Sequence, residues 1–417
     1  MKLLKNKLKV GAVTALLAST AVFADNTSDI AELKRQIAEL TKQSKIQQEQ
    51  TQSLIDETSD LQTGFNYTKV DTQKSHSGLG AAASKVYYSK SPLSIGGYGE
   101  MYYAHTSNDG SANSDVLDVY RFVPYIGYKF ADDIILNVEL EFEHGGGGAN
   151  VDGDGYVIVE FMYLDFLFNK NINLRVGNML MPMGLINEKH EPTLFTTVQR
   201  PSTEKNLIPS TWHESGIMAY GNIADGLSYK IGAFSALDLT AGLGDGDKWI
   251  RNSRIGSYRN QNRLGLAVVG RLDYTGVNGL LLGTSAYADS DLTMIDVHFD
   301  YNKNAFRAYG VLTQSERDNA PIGEPKTAKG GYLNLGYDLL SLTPGTNQKL
   351  PFFVQYESVD AQNDIKGGGS GEAIETTTVG INYFPHPQVV LKADYAMQTQ
   401  DGSADKDIFS LSMGFIF

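Results

Sequence analysis

Phe409-Ser410-Leu411-Ser412-Met413-Gly414-Phe415-Ile416-Phe417 closes the chain, and every odd position in it is apolar, with Ser410, Ser412 and Gly414 between them before Ile416. A strict period of two marks a strand with one greasy face and one that is not. The sequence offers no following segment to cover the greasy face, so the expected cover is lipid. A strand of roughly spanning length with lipid on one side and a lumen on the other belongs to a transmembrane β-barrel.

The N-terminal end agrees with that expectation. Lys2, Lys5, Lys7 and Lys9 precede an apolar run from Val10 to about Ala21, and Val22-Phe23-Ala24 offers small residues for cleavage before Asp25. This pattern predicts a signal peptide over residues 1–24. The run is too short for a spanning helix, which needs about 20 residues, and no other stretch is long enough and free of charge. Composition points the same way, with 43 glycines and 23 tyrosines in 417 residues and almost no helical periodicity after residue 65. Without the four signal lysines the formal charge moves from -13 to -17, which argues against nucleic acid as a partner. No cysteine is present, so redox compartment leaves no trace.

Between the signal and the strands lie two short segments. Ile30, Leu33, Ile37 and Leu40 take a and d positions of two heptads, Ser44, Gln47 and Thr51 interrupt the seam, and Leu54, Thr58 and Leu61 resume it. Residues 25–63 are therefore expected to form a helical coiled-coil segment in the periplasm. Residues 64–92, rich in Ser, Thr, Gly and Lys, read as a linker with no chemistry of its own.

From Leu93 to the end, residues 93–417, the period is two. Ile134, Leu136, Val138, Leu140 and Phe142 form one face, and Asn137, Glu139, Glu141 and Glu143 dominate the other. Similar stretches begin near Leu93, Val116, Ile134, Tyr156, Asn171, His213, Gly226, Asn262, Gly279, Leu292, Asn304, Gly330, Leu350, Ala373, Pro387 and Lys406. The fold class expected is all-β, an antiparallel barrel of about sixteen strands, wide enough for water. Gaps alternate between short and long, as periplasmic turns and outer loops should. The short gap at Ser290 and the long one at residues 341–349 break the alternation.

In such a barrel the chemistry lies in charged side chains on the lumen face. Alternation points Arg121, Lys129, Arg175, Lys230, Arg263, Arg271, Arg307 and Lys392 inward, with Glu100, Glu139, Glu141, Glu143, Asp273, Asp296, Asp338, Glu357 and Asp394 as the opposing charges. Residues 180–212 form the longest gap without strand pattern, and a long loop in a compact fold is usually functional. They carry Glu188, Lys189, His190, Glu191, Arg200, Glu204 and Lys205, a mixed set expected at a constriction if the loop folds inward. Arg251, Arg254 and Arg259 make a basic cluster in another long gap. Asn150 to Gly155 resembles a calcium loop only faintly, because Phe161 stands where the acid is needed. The seven histidines show no metal spacing and no nucleophile triad, so neither metal, cofactor nor enzymatic activity is expected.

Leu174-Arg175-Val176-Gly177-Asn178, then Pro182-Met183-Gly184, then Glu214-Ser215-Gly216-Ile217 up to Gly221, resembles the phosphate-selective (O and P) porins. The resemblance implies a homotrimer of sixteen-stranded outer-membrane barrels with an inward loop, passing small hydrophilic solutes or inorganic ions passively. Members of that family hold phosphate with stacked arginines and lysines. In this chain the wall carries both signs, and the acid face of Glu139, Glu141 and Glu143 opposes such a ladder. The expected setting is the outer membrane of a Gram-negative bacterium, in contact with lipid and lipopolysaccharide. The competing expectation is an adhesion or binding protein that acts through its outer loops.

Overall fold

The computed structural model describes residues 27–65, 70–110, 112–145, 155–258, 265–343 and 345–417, with side chains in the first segment described for residues 31–52. The expected signal peptide, residues 150–154 of the calcium-like turn, Arg259 and Arg263 lie outside them. Helix α1 (Thr27–Phe65) forms a unit by itself. Leu33, Ile37 and Leu40 are all exposed along it, so the described part of the apolar seam is uncovered in the single chain. Among the described residues no helix is long and apolar enough to cross a membrane.

The residues from 70 onward form a second unit. Its strands are β1 (Leu93–Asn108), β2 (Ser114–Ala131), β3 (Ile134–Glu143), β4 (Tyr156–Leu167), β5 (Asn173–Leu180), β6 (His213–Ala224), β7 (Leu227–Ser235), β8 (Leu266–Tyr274), β9 (Leu280–Ala288), β10 (Leu292–Lys303), β11 (Phe306–Arg317), β12 (Pro325–Asp338), β13 (Pro351–Ile365), β14 (Ile374–His386), β15 (Val389–Gln400) and β16 (Lys406–Ile416). Each pairs antiparallel with its neighbours in sequence, and β16 closes on β1 to complete a barrel of sixteen. The closing register runs from Tyr98 opposite Ile416 to Asn108 opposite Lys406. Closure leaves no unpaired strand edge, the condition for backbone in lipid.

Alternation sorts the side chains as the sequence suggested. Phe409, Leu411 and Met413 face outward, while Ser410 and Gly414 are buried. In β3 the hydrocarbon face is outward, and Asn137, Glu139 and Glu141 are buried. Most strand starts fall within two residues of expectation. The largest shift is in β12, which begins at Pro325 rather than Gly330, because two register shifts carry irregular pairing past Thr327 before the regular ladder starts at Lys329. Both exceptions to the gap pattern are present. The short turn before β10 is held by Asp289, whose Oδ1 accepts from the amides of Asp291 and Leu292 at 2.7 Å each. The long opposite turn contains a 3-10 turn (Leu339–Leu342) capped by Asp338.

Of the stretch 64–92 read as a linker, the described part from residue 70 is packed rather than free. Leu79, Ala81, Ala82, Ala83 and Ser84 are buried, and Val86 and Ser89 of and beside the one-turn helix α2 (Lys85–Tyr88) are buried with them. Small side chains and glycines let this stretch pack inside the barrel, where longer ones would collide with the wall. Polarity of composition mimics a linker, yet the polar groups here meet polar wall residues instead of water.

Leu411 stands near the middle of β16, opposite Tyr103 on one side and Ala393 on the other. Leu411→Arg should cost about 2–4 kcal/mol, the penalty of a charge near the bilayer midplane. Measured as the temperature at which the folded band is lost on heat-modifiable gels, the midpoint should fall by several degrees. An unchanged midpoint would contradict the outward assignment of that face.

Candidate functional site: the lumen and its inward loop

Residues 181–212 fold into the barrel. The turn that sends them inward is Gly184, whose positive φ of 67° favours glycine and whose absent Cβ leaves room for Glu204 Oε2, 2.8 Å from where it would stand. Asn187 staples the two ends together: its Nδ2 donates to the carbonyls of Met181 (2.8 Å) and Trp212 (2.9 Å), and its Oδ1 accepts from Trp212 N (2.7 Å). The glycines of the motif strands have a packing role. Gly177 and Gly216 are paired, and a Cβ on either would strike backbone oxygen at 2.4 and 2.3 Å respectively.

A loop without ladder partners buries amides and carbonyls that must be satisfied. The wall supplies the partners. Lys392 Nζ donates to Phe195 O (2.9 Å) and Thr197 O (3.0 Å). Arg307 donates to Leu194 O at 2.9 Å while also pairing with Asp300 at 2.9 Å, its guanidinium 4.4 Å from the Tyr309 ring centroid. Arg271 donates to Gly184 O (2.5 Å) and pairs with Asp273 (2.8 Å). Arg121 lies between the rings of Tyr98 and Tyr120 and donates to His190 O at 3.2 Å and Glu100 at 3.4 Å. Carboxylates serve the amides: Asp296 takes Gly184 N (3.1 Å), Asp394 takes Val198 N (2.6 Å) and Glu357 takes Thr203 N (2.6 Å).

The loop's own charges are spent in the same way. Glu188 pairs with Lys230. Glu191 Oε1 accepts from Ala82 N (2.9 Å) and Ala83 N (3.1 Å), joining the loop to the N-terminal segment. Glu204 accepts from Leu185 N (3.1 Å), Ile186 N (2.6 Å) and Tyr332 Oη (2.7 Å). Lys189 and Lys205 are half-buried, and burial, with Arg251 and Lys248 near, pulls the Lys205 amine down to about 8.

The segment from residue 70 is gripped by a further set. Lys129 donates to Ser89 O (2.7 Å), Asn137 to Ala83 O (2.9 Å), and His76 stacks on Tyr87 at 3.6 Å between centroids. Tyr87 Oη donates to Asp165 Oδ2 at 2.5 Å, and Asp165 forms a two-point pair with Arg175 at 2.8 Å each. Asp165 escaped the sequence reading, although alternation from Phe161 through Tyr163 would have found it.

Among the described residues, cavities open at both rims. One, about 370 Å³, lies at the rim of tight turns and is lined by Thr72, Asn304, Arg307, Asp338 and Lys349. The other, about 530 Å³, lies at the rim of long loops, where Arg200, Arg251 and Arg254 face Glu141 and Glu143. Arg251 and Arg254 have donors committed to carbonyls of residues 205, 209, 210 and 211, whereas Arg200 Nε is buried with no hydrogen-bond partner. Of the expected site residues, the structure thus brings Arg200, Glu141 and Glu143 together around open space. It distributes the described wall cations along the loop and the N-terminal segment rather than as an open ladder.

A closed sixteen-stranded barrel with a charged lumen and an inward loop has the fold of outer-membrane porins, and solved structures agree. The anion-selective porin from Comamonas acidovorans is 14% identical, with 78% of this chain and 99% of that one covered at a TM-score of 0.53. The outer membrane channel DcaP of Acinetobacter baumannii is 11% identical, with 78% and 97% covered at 0.52. A loop L8 deletion mutant of OmpT, an outer membrane protein of Vibrio cholerae, is 12% identical, with 78% and 100% covered at 0.51. At such identities the likeness is one of fold. No family model matches the chain. A protein of Aquifex aeolicus (strain VF5) described as uncharacterized is 32% identical over 379 residues, 83% of this chain and 85% of that protein. The chain belongs to the same family as that protein.

Burial pushes the Glu204 carboxyl up to about 7, against the pull of its hydrogen bonds from Tyr332 and Ile186. Its folded value lies above its unfolded one of 4.5, so the fold tolerates the neutral form better. Stability should therefore fall as pH rises from about 4.5 through 7, by on the order of 1–3 kcal/mol. Glu204→Gln should flatten the difference between the heat transitions at pH 5 and pH 8. An identical pH difference in both proteins would contradict the assignment.

Proposed function

We propose that the protein is a passive outer-membrane porin, admitting small hydrophilic or ionic solutes through a lumen narrowed by residues 181–212. The observation that carries this reading is the inward loop itself, held across a closed, charged barrel by side chains from many strands. Transport of this kind is diffusion past charged walls, with no covalent step and no need of a cofactor. The fold likeness to an anion-selective porin and to a channel supports the reading. The barrel's outward apolar band supports a place in the outer membrane.

Charge selection falls to the vestibule at the long-loop rim. Arg200, Arg251 and Arg254 line it with positive charge, against Glu141 and Glu143. We assign anion preference to this cluster, with phosphate as one candidate solute. In the same reading the tight-turn rim and the segment entering there are periplasmic, the exposed seam of α1 pairs with copies of itself, and the barrels assemble as trimers in contact with lipopolysaccharide.

Purified protein in a planar bilayer should give stepwise conductance, and the reversal potential under a salt gradient should report anion preference. Arg200→Gln should move that potential toward cations while keeping the steps. Bilayers that stay closed at all voltages would contradict the porin reading, and an unmoved potential would remove Arg200 from selection.

A further inference from the structure

Glu139 in β3, Glu160 in β4 and His190 in the inward loop each bring one donor atom to within 4.8 Å of the others, and all three side chains are buried. Their approach depends on a bulge. Glu139 pairs with Phe161 and Leu140 pairs with Val159, which leaves Glu160 as the extra residue of β4. Glu160 and Phe161, neighbours in sequence, are consequently both fully buried, where regular alternation would turn one to lipid. The bulge re-aims a carboxylate into the lumen.

That carboxylate has nothing to hold. Both oxygens of Glu160 lack a hydrogen-bond partner, as do Glu139 Oε2 and Glu141 Oε1. Buried acceptors without donors are costly, and three glutamates together compound the cost. Two nearby cations have most of their donors engaged elsewhere: Arg121 with Tyr98, Glu100 and His190 O, and Arg254 with the carbonyls of Arg251, Pro209 and Thr211.

His190 supplies the third observation. Its Nδ1 lies 2.8 Å from Asn187 O, and since a carbonyl only accepts, Nδ1 donates. In the neutral ring Nε2 then turns its lone pair toward Glu139 Oε1, 3.3 Å away. Two acceptors facing each other repel unless positive charge lies between them. An imidazole held through Nδ1 by a backbone carbonyl, with Nε2 aimed at carboxylates, is how proteins orient a metal-ligating histidine. His213 Nδ1, also without a hydrogen-bond partner, stands 3.9 Å from Glu160 Oε1.

We propose that Glu139, Glu160 and His190 bind a divalent first-row transition-metal cation, with His213 as an adjoining donor. Mixed imidazole and carboxylate donors suit zinc, manganese or iron, whereas calcium and magnesium take oxygen ligands. Entry is through the long-loop vestibule, which Glu141 and His213 both line. A bound ion ties the inward loop directly to β3 and β4, independently of whether the barrel conducts.

Full-length protein without a polyhistidine tag, folded in detergent, stripped with EDTA and dialysed, should be titrated with Zn2+ by calorimetry and counted by elemental mass spectrometry. The expected result is one ion per chain, with affinity at least about tenfold weaker in Glu160→Gln. Gln keeps the size and an acceptor oxygen of Glu160, so this variant should keep its heat-modifiable migration; Glu139→Gln serves the same purpose if it does not. Zinc should also raise the heat transition of the wild type and leave that of Glu160→Gln unmoved. Stripped wild type that takes up no zinc would overturn the proposal in favour of carboxylates sharing a proton, and equal binding by Glu160→Gln would place the ion elsewhere.

Discussion

Irregular backbone inside a barrel has no ladder to join, and its amides and carbonyls must find partners among the wall side chains. That constraint organises this protein. Lys392, Arg307, Arg271 and Arg121 each donate to a loop carbonyl, and Asp296, Asp394 and Glu357 each accept a loop amide. The wall charges that a pore would otherwise present to solute are here the clamps that hold residues 181–212 in place.

A functional consequence follows. A guanidinium donating to a carbonyl and a carboxylate at once has little left for a passing ion, so the mid-lumen arginines position the loop, and in the proposed porin the solute would meet its charge field at the rims. Arg200 is carried by the loop to the lining of the vestibule, beside Arg251 and Arg254. The segment from residue 70 adds a second filling element, bonded to the loop through Glu191 and to the wall through Lys129 and Asn137. Together they narrow a barrel whose strand count alone would leave a wide channel.

Much of this was legible in the chain because a period of two survives wherever lipid and lumen each claim one face. The terminal run to Phe417 identified β16, and sixteen alternating stretches gave the closed barrel; pairing with β1 now fixes its place. The inward direction of Arg121, Arg175 and Lys392 was equally legible. What they touch was not, because partners such as Leu194 O and Phe195 O belong to backbone whose path no pattern records. Residues 70–89 were misread because small and polar residues are common to linkers and to chain packed against a polar wall. Glu160 was invisible for a different reason: a bulge breaks the period that assigns faces, and the break leaves no mark in sequence.

The absence of native cysteine permits a direct test of the inward loop as part of the permeation path. Single-channel current should be recorded through Arg200→Cys while a bulky charged thiol reagent is added from the long-loop side. Labelling should cut the current in discrete steps, with the cysteine-free wild type unaffected. Current that persists unchanged after complete labelling would place the loop off the path and contradict the account.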